Sequence, residues 1–170
     1  MSDIRAALDG AREYLTAHPT EAAYTDSAAT ATLEDGLRVS VSGPGGETLT
    51  TDMPTSVGGA ASAPSAGWYL RAAEAACVAT LIAMRAASLG IALDRLEVLV
   101  DSESDDRGIL GLSAEVPAGP LSGRVVVRIA AEGVPGGDLV ALAQWGVDHC
   151  PVVDAVRRAV PLEVEVTIES

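Results

Sequence analysis

The order of segments predicts an α+β domain organised around one long helix, with antiparallel strands before and after it. Three observations carry that expectation. Helix formers run without proline or glycine from Trp68 to Leu89. Short apolar segments bounded by Gly- and Pro-containing turns lie on both sides of that run. The chain ends in a stretch, Pro161 to Ile168, in which apolar and polar residues alternate strictly, as in a half-buried strand.

Taken in order, Ile4, Ala7, Leu8, Ala11 and Leu15 recur at helical spacing, so Asp3 to Ala17 forms an amphipathic helix ended by His18-Pro19. Residues 28–33 and Leu37 to Val41 read as two strands joined at Asp35-Gly36, and Gly43-Pro44-Gly45-Gly46 turns the chain into a third, Glu47 to Asp52. The Gly-, Ala-, Ser- and Pro-rich segment 54–64 is a loop. The helix from Ala66 to Leu89 follows, stopped by Gly90 where a left-handed C-cap fits. Its apolar residues surround it, so it is expected to be buried on several sides. A membrane span is excluded, because Arg71, Glu74 and Arg85 leave an apolar stretch far shorter than the ~20 residues a bilayer requires.

Beyond Gly90, Leu93 to Asp101 and Ile109 to Val116 read as strands flanking an acidic turn, and the β-branched run Arg124 to Ala131 as a third strand pairing with them. Asp138 is placed as the N-cap of a helix to about Val147, and Pro151 opens a short helix to about Arg158. The acidic run Glu103 to Asp106 lacks the spacing of a calcium loop and reads as a solvated turn.

Twenty-four acidic residues against 11 basic ones give a net charge of −13, which excludes nucleic acid and anionic membrane surfaces as partners. The first residues, acidic and without an apolar segment ahead of a cleavage site, do not form a secretory signal, so a cytoplasmic location is expected. No cofactor is implied. Metal binding is disfavoured by two isolated histidines and the absence of a CxxC spacing.

The two cysteines are the candidate chemistry. Cys150 precedes Pro151 at a helix start, where unpaired N–H groups favour an anion. Cys77 lies mid-helix, so a reactive thiolate there needs a cation supplied by the fold, and Glu74 on the same face opposes it. A small core residue remains the simpler reading of Cys77. A dyad of His149 with Cys150 is disfavoured, because adjacent residues rarely align for proton transfer.

The helix closed by Gly90-Ile91 with a cysteine at its centre, then Asp106-Arg107-Gly108, then Cys150-Pro151-Val152 and a final alternating strand, resembles the OsmC/Ohr family of osmotically inducible and organic hydroperoxide resistance proteins. The likeness spans about Tyr24 to Glu169 and leaves the first helix unexplained; residues 1–20 are read as an N-terminal arm and 21–170 as one OsmC-like domain. The resemblance implies an intertwined homodimer whose two central helices are wrapped by antiparallel sheets from both chains. It implies thiol peroxidase chemistry on organic hydroperoxides or hydrogen peroxide: Cys77 becomes a sulfenic acid, Cys150 resolves it, and a dithiol reductant restores the pair. It further implies an arginine from the early strands, for which Arg38 is the nearest positional match. The hydroperoxide-reducing branch carries a glutamate ten residues before the first cysteine, and here Gly67 stands there, beside Trp68. That departure motivates the alternative expectation of a dimer that binds a small ligand, or serves a structural role, without peroxidase turnover.

Overall fold

The computed structural model describes residues 2–169. Its elements are α1 (Ser2–Ala17), strands β1 (Thr30–Leu33), β2 (Val39–Ser42) and β3 (Thr48–Thr51), the long helix α2 (Ala66–Leu89), β4 (Arg95–Glu103), the single turn α3 (Asp106–Ile109), β5 (Ser122–Ala130), α4 (Gly136–Asp148) and α5 (Pro151–Arg157). Short 3₁₀ turns follow α1 at Pro19–Glu21 and β3 at Thr55–Val57. This is the expected α+β architecture of a long helix with antiparallel sheets.

α2 is fixed at both ends by local chemistry. Ser65 is its N-cap and accepts the Trp68 N–H at 3.3 Å. Gly90, at φ +74°, turns the chain left-handed, and the N–H groups of Gly90 and Ile91 close back on Ala86 and Ala87 carbonyls. Between the caps, Val78, Ile82, Ala86 and Ala87 are buried. Val78 and Ile82 are fully enclosed and join Leu142, Cys150 and Val153 in the core. Enclosing each of these aliphatic side chains stabilises the fold by about 1.5–3 kcal/mol. By length and mean composition α2 would suffice to cross a bilayer, although Arg71, Glu74 and Arg85 interrupt its apolar run. Its buried stripe and its packing against α4, α5, α1 and the β4–β5 pair identify it as the core helix of this fold.

β4 and β5 pair antiparallel from Arg95↔Ala130 to Glu103↔Ser122. Leu96, Val98, Val125, Val127 and Ile129 pack on the core, while Asp101–Arg124 and Glu97–Arg128 form ion pairs on the other face. The expected strand at Ile109 to Val116 does not form. Asp105 instead caps a helical turn through the Arg107 N–H, and Gly111, at φ +66°, turns the chain out of it. Two strands therefore pair here, where three were expected. The N-cap of α4 also lies three residues earlier than expected. Pro135 occupies its N-cap, and Asp138 sits in the first turn as a charge favourable to the helix dipole.

β1, β2 and β3 form a separate antiparallel meander, Thr30↔Ser42 through Leu33↔Val39 and Val39↔Thr51 through Ser42↔Thr48. None of its residues belongs to the described core cluster. The C-terminal stretch 161–168 does not join a sheet within the chain. Its apolar row is open to solvent, with Leu162 at 88% and Ile168 at 90% exposure. The alternation that marked it as a strand is thus present, without a strand of the same chain beside it.

Candidate functional site

The two cysteines, remote in sequence, meet where α2 crosses the start of α5. Cys150 is fully buried and is the N-cap of α5, its Sγ receiving the Val153 N–H at 3.5 Å. Cys77 is half-buried on α2 and packs against the same cluster, near enough to Cys150 and to the Val152 backbone for both to act on its thiol. Pro151 explains the local geometry: it fits the first helical position because it has no N–H to satisfy, leaving the next two amides free to face sulfur. Both cysteines are free thiols.

The electrostatics do not activate Cys77 within one chain. Burial, then the neighbouring Cys150 thiol, push its thiol above the ordinary range, and the Val152 amide only partly opposes them. Glu74, one turn earlier, is itself pushed up by burial, against a favourable Arg71. It lines a cleft of about 370 Å³ together with Val100, Val125, Val147, Val153 and Arg157.

Arg38 is not brought to the cysteines. Its guanidinium binds Glu34 at 2.8 Å and the Ser62 hydroxyl at 2.9 Å. Ser62 in turn donates its N–H and O–H to Asp52, at 2.9 and 2.8 Å. Asp52 is buried, and these bonds hold its carboxyl below the usual range. The relay ties the β1–β2 turn to the loop preceding α2, an arrangement the sequence spacing did not reveal.

Gly67 leaves its position open. A Cβ there would make only ordinary contacts, 3.8 Å from Arg71 Nη1 and 3.9 Å from Ser65 Oγ. Trp68 is half-exposed, packs edge-on to Tyr69 at 5.2 Å, and lines a cleft with Met53, Pro54, Ala63 and Arg71. The His149 ring is engaged away from Cys150: its Nδ1 lies 2.8 Å from the Trp145 carbonyl and its ring stacks on Trp145 at 4.0 Å. Arg85 of α2 stands over the same indole at 5.0 Å. The i, i+4 spacing of Trp145 and His149 was the available sequence signal for this stack.

The sequence model of a family described as OsmC-like protein matches residues 59–165, more than half of the chain. No curated protein gives a significant match. Among solved structures, the organic hydroperoxide resistance protein OsmC from Legionella pneumophila is similar at 21% identity and TM-score 0.59, covering 79% of this chain and 91% of its own. An OsmC-like protein from Mycoplasma pneumoniae aligns at 14% identity and TM-score 0.66, covering 79% and 89%. The organic hydroperoxide resistance protein OhrB of Bacillus subtilis aligns at 17% and 0.53, covering 79% and 93%. At these identities the structural likeness establishes the fold.

Proposed function

The chain belongs to the OsmC-like protein family, and from that premise we propose that it is a cytoplasmic, homodimeric thiol peroxidase acting on organic hydroperoxides, with residues 21–170 as its OsmC-like domain and 1–20 as an arm. The observation that carries this reading is the meeting of the chain's two cysteines over the first turn of α5. In the first step Cys77 thiolate attacks a hydroperoxide oxygen. The O–O bond breaks, Cys77 becomes a sulfenic acid, and the departing alkoxide takes a proton to leave as the alcohol. Cys150 then attacks the sulfenic sulfur, forming the disulfide and releasing water. A dithiol reductant supplies two electrons and two protons and returns both thiols.

The raised Cys77 thiol makes a cation from outside its own walls a requirement of this mechanism. In the intertwined homodimer, the meander of a second copy supplies Arg38, which stabilises the thiolate and the leaving oxygen. The solvent-facing row Leu162, Val164, Val166 and Ile168 supports that assembly, since a strand with one apolar face gains by pairing against another chain.

Gly67 and the unactivated thiol favour a second reading, a ligand-binding dimer without turnover. The test counts thiols and measures intact mass after a stoichiometric pulse of cumene hydroperoxide, repeated with hydrogen peroxide. Loss of both thiols to a Cys77–Cys150 disulfide, abolished in Cys77→Ser, supports the peroxidase. Unchanged peroxide consumption in Cys77→Ser rejects it. Gly67→Glu separates the two readings further. The added carboxylate has room beside Arg71, and a large gain in rate means that the natural chain has left peroxidase chemistry.

A further inference from the structure

The residue immediately before Cys150 is held more firmly than a helix connection requires. His149 continues the end of α4 through its backbone N–H, bonded to the Trp145 carbonyl at 3.1 Å, and its ring nitrogen Nδ1 lies 2.8 Å from that same oxygen. The imidazole also stacks on the Trp145 indole, with centroids 4.0 Å apart and planes within 17°. A solvent-exposed histidine is thereby fixed at both ring face and ring edge.

Trp145 is in turn tied to the helix that carries Cys77. The Arg85 guanidinium of α2 stands 5.0 Å from its ring, and the neighbouring Gly146 lies so close to Ile82 of α2 that a Cβ there would fall 2.3 Å from Ile82 Cγ1. The register between α2 and the end of α4 is therefore set at residues 145 and 146 and passed through His149 to the next residue, Cys150. Disulfide closure is sensitive to such a register, because an S–S bond forms only when the two Cα atoms stand about 4.4–6.8 Å apart with Cβ atoms facing.

We propose that His149 is a positioning residue for disulfide closure: its ring, seated on Trp145 and bonded to the Trp145 carbonyl, holds Cys150 in register with Cys77. The inference rests on the thiol peroxidase reading for its physiological meaning. The step concerned is attack of the Cys150 sulfur on the Cys77 sulfenic acid, in which the S–O bond breaks, the S–S bond forms, and the hydroxide takes the Cys150 proton and leaves as water. His149 does not touch the reacting sulfur atoms. It limits the range of Cys150, and a misplacement near 1 Å costs such a step ~10²-fold.

The experiment follows two rates in stopped flow with cumene hydroperoxide: loss of the Cys77 thiolate, and appearance of the disulfide. In His149→Ala the first rate stays near the natural one, closure slows by at least about tenfold, and a dimedone-trapped sulfenic acid accumulates at Cys77. His149→Phe keeps a ring on Trp145 and recovers most of the closure rate. Closure at the natural rate in His149→Ala, equal slowing of both steps, or a Phe variant no better than Ala each overturns the inference. Closure driven by diamide, which takes two electrons and two protons from the thiol pair, reads the same geometry without hydroperoxide. A natural protein that closes with diamide but ignores hydroperoxide defeats the peroxidase reading and leaves His149 to be judged on the diamide rates alone.

Discussion

Gly146→Ala tests whether the spacing of α2 and α4 is set by a missing side chain. The new Cβ would lie 2.3 Å from Ile82 Cγ1, 3.1 Å from Ile82 N and 3.3 Å from Ile82 Cα. Carbon atoms in contact prefer about 3.5–4.0 Å, so the helices must part by roughly 1 Å or more at this level. Ile82 cannot yield easily, because it is fully enclosed and two of the three clashing atoms belong to its backbone. Overpacking of this kind costs about 1–3 kcal/mol, against a gain of about 1 kcal/mol from replacing glycine with alanine inside a helix. The net expectation is a destabilisation of up to about 2 kcal/mol, and at about 2–4 °C per kcal/mol for a chain of this size a drop of several degrees in Tm. Urea unfolding followed by far-UV circular dichroism measures it. Ile82→Ala removes Cγ1, and should cost about 2–5 kcal/mol alone but less when combined with Gly146→Ala. A Gly146→Ala protein more stable than the natural one, or an Ile82→Ala cost undiminished in the double variant, refutes the reasoning.

Asp52→Asn replaces an acceptor by a group whose NH₂ faces the donors of Ser62, so stability at neutral pH falls. The Asp52 carboxyl is lowered on folding. Its stabilisation is therefore present above the unfolded value of about 3.9 and is lost as pH falls through the lower folded value. The natural protein should lose Tm more steeply on acidification below about pH 4 than Asp52→Asn does, and parallel acid limbs would contradict the assignment. At the other end of the chain, Val164→Glu places a charge in the apolar row 162–168. For the homodimer proposed above, sedimentation should show a shift from dimer to monomer with far-UV helical signal retained, whereas an unaltered dimer would remove this row from the proposed interface.

Elements with local causes are legible in the residues alone. The 66–89 helix follows from its helix formers, the Ser65 cap and the left-handed Gly90, and the 30–51 meander follows from alternation and from turn glycines such as Gly36. The family was legible too, because the two cysteine motifs and the closing Gly90-Ile91 survive as short ordered signatures. Periodicity misled at 109–116, where a capping carboxylate and Gly111 outweighed a short apolar run. It also marked 161–168 as a strand, and no strand forms there within the chain, since alternation specifies an apolar face and never the surface that covers it.

Which distant groups meet depends on how the elements pack. Cys77 and Cys150 come together because α5 begins against the middle of α2, and Arg38 is held on Glu34 and Ser62 because the meander lies off the core. Cys77 being raised by burial, Asp52 lowered by Ser62, and Trp145 joining Arg85 to His149 are likewise properties of packing. The physical reason is that helix and strand formation depend on neighbours a few positions away, whereas thiol reactivity depends on burial and on donors brought from residues remote in the chain.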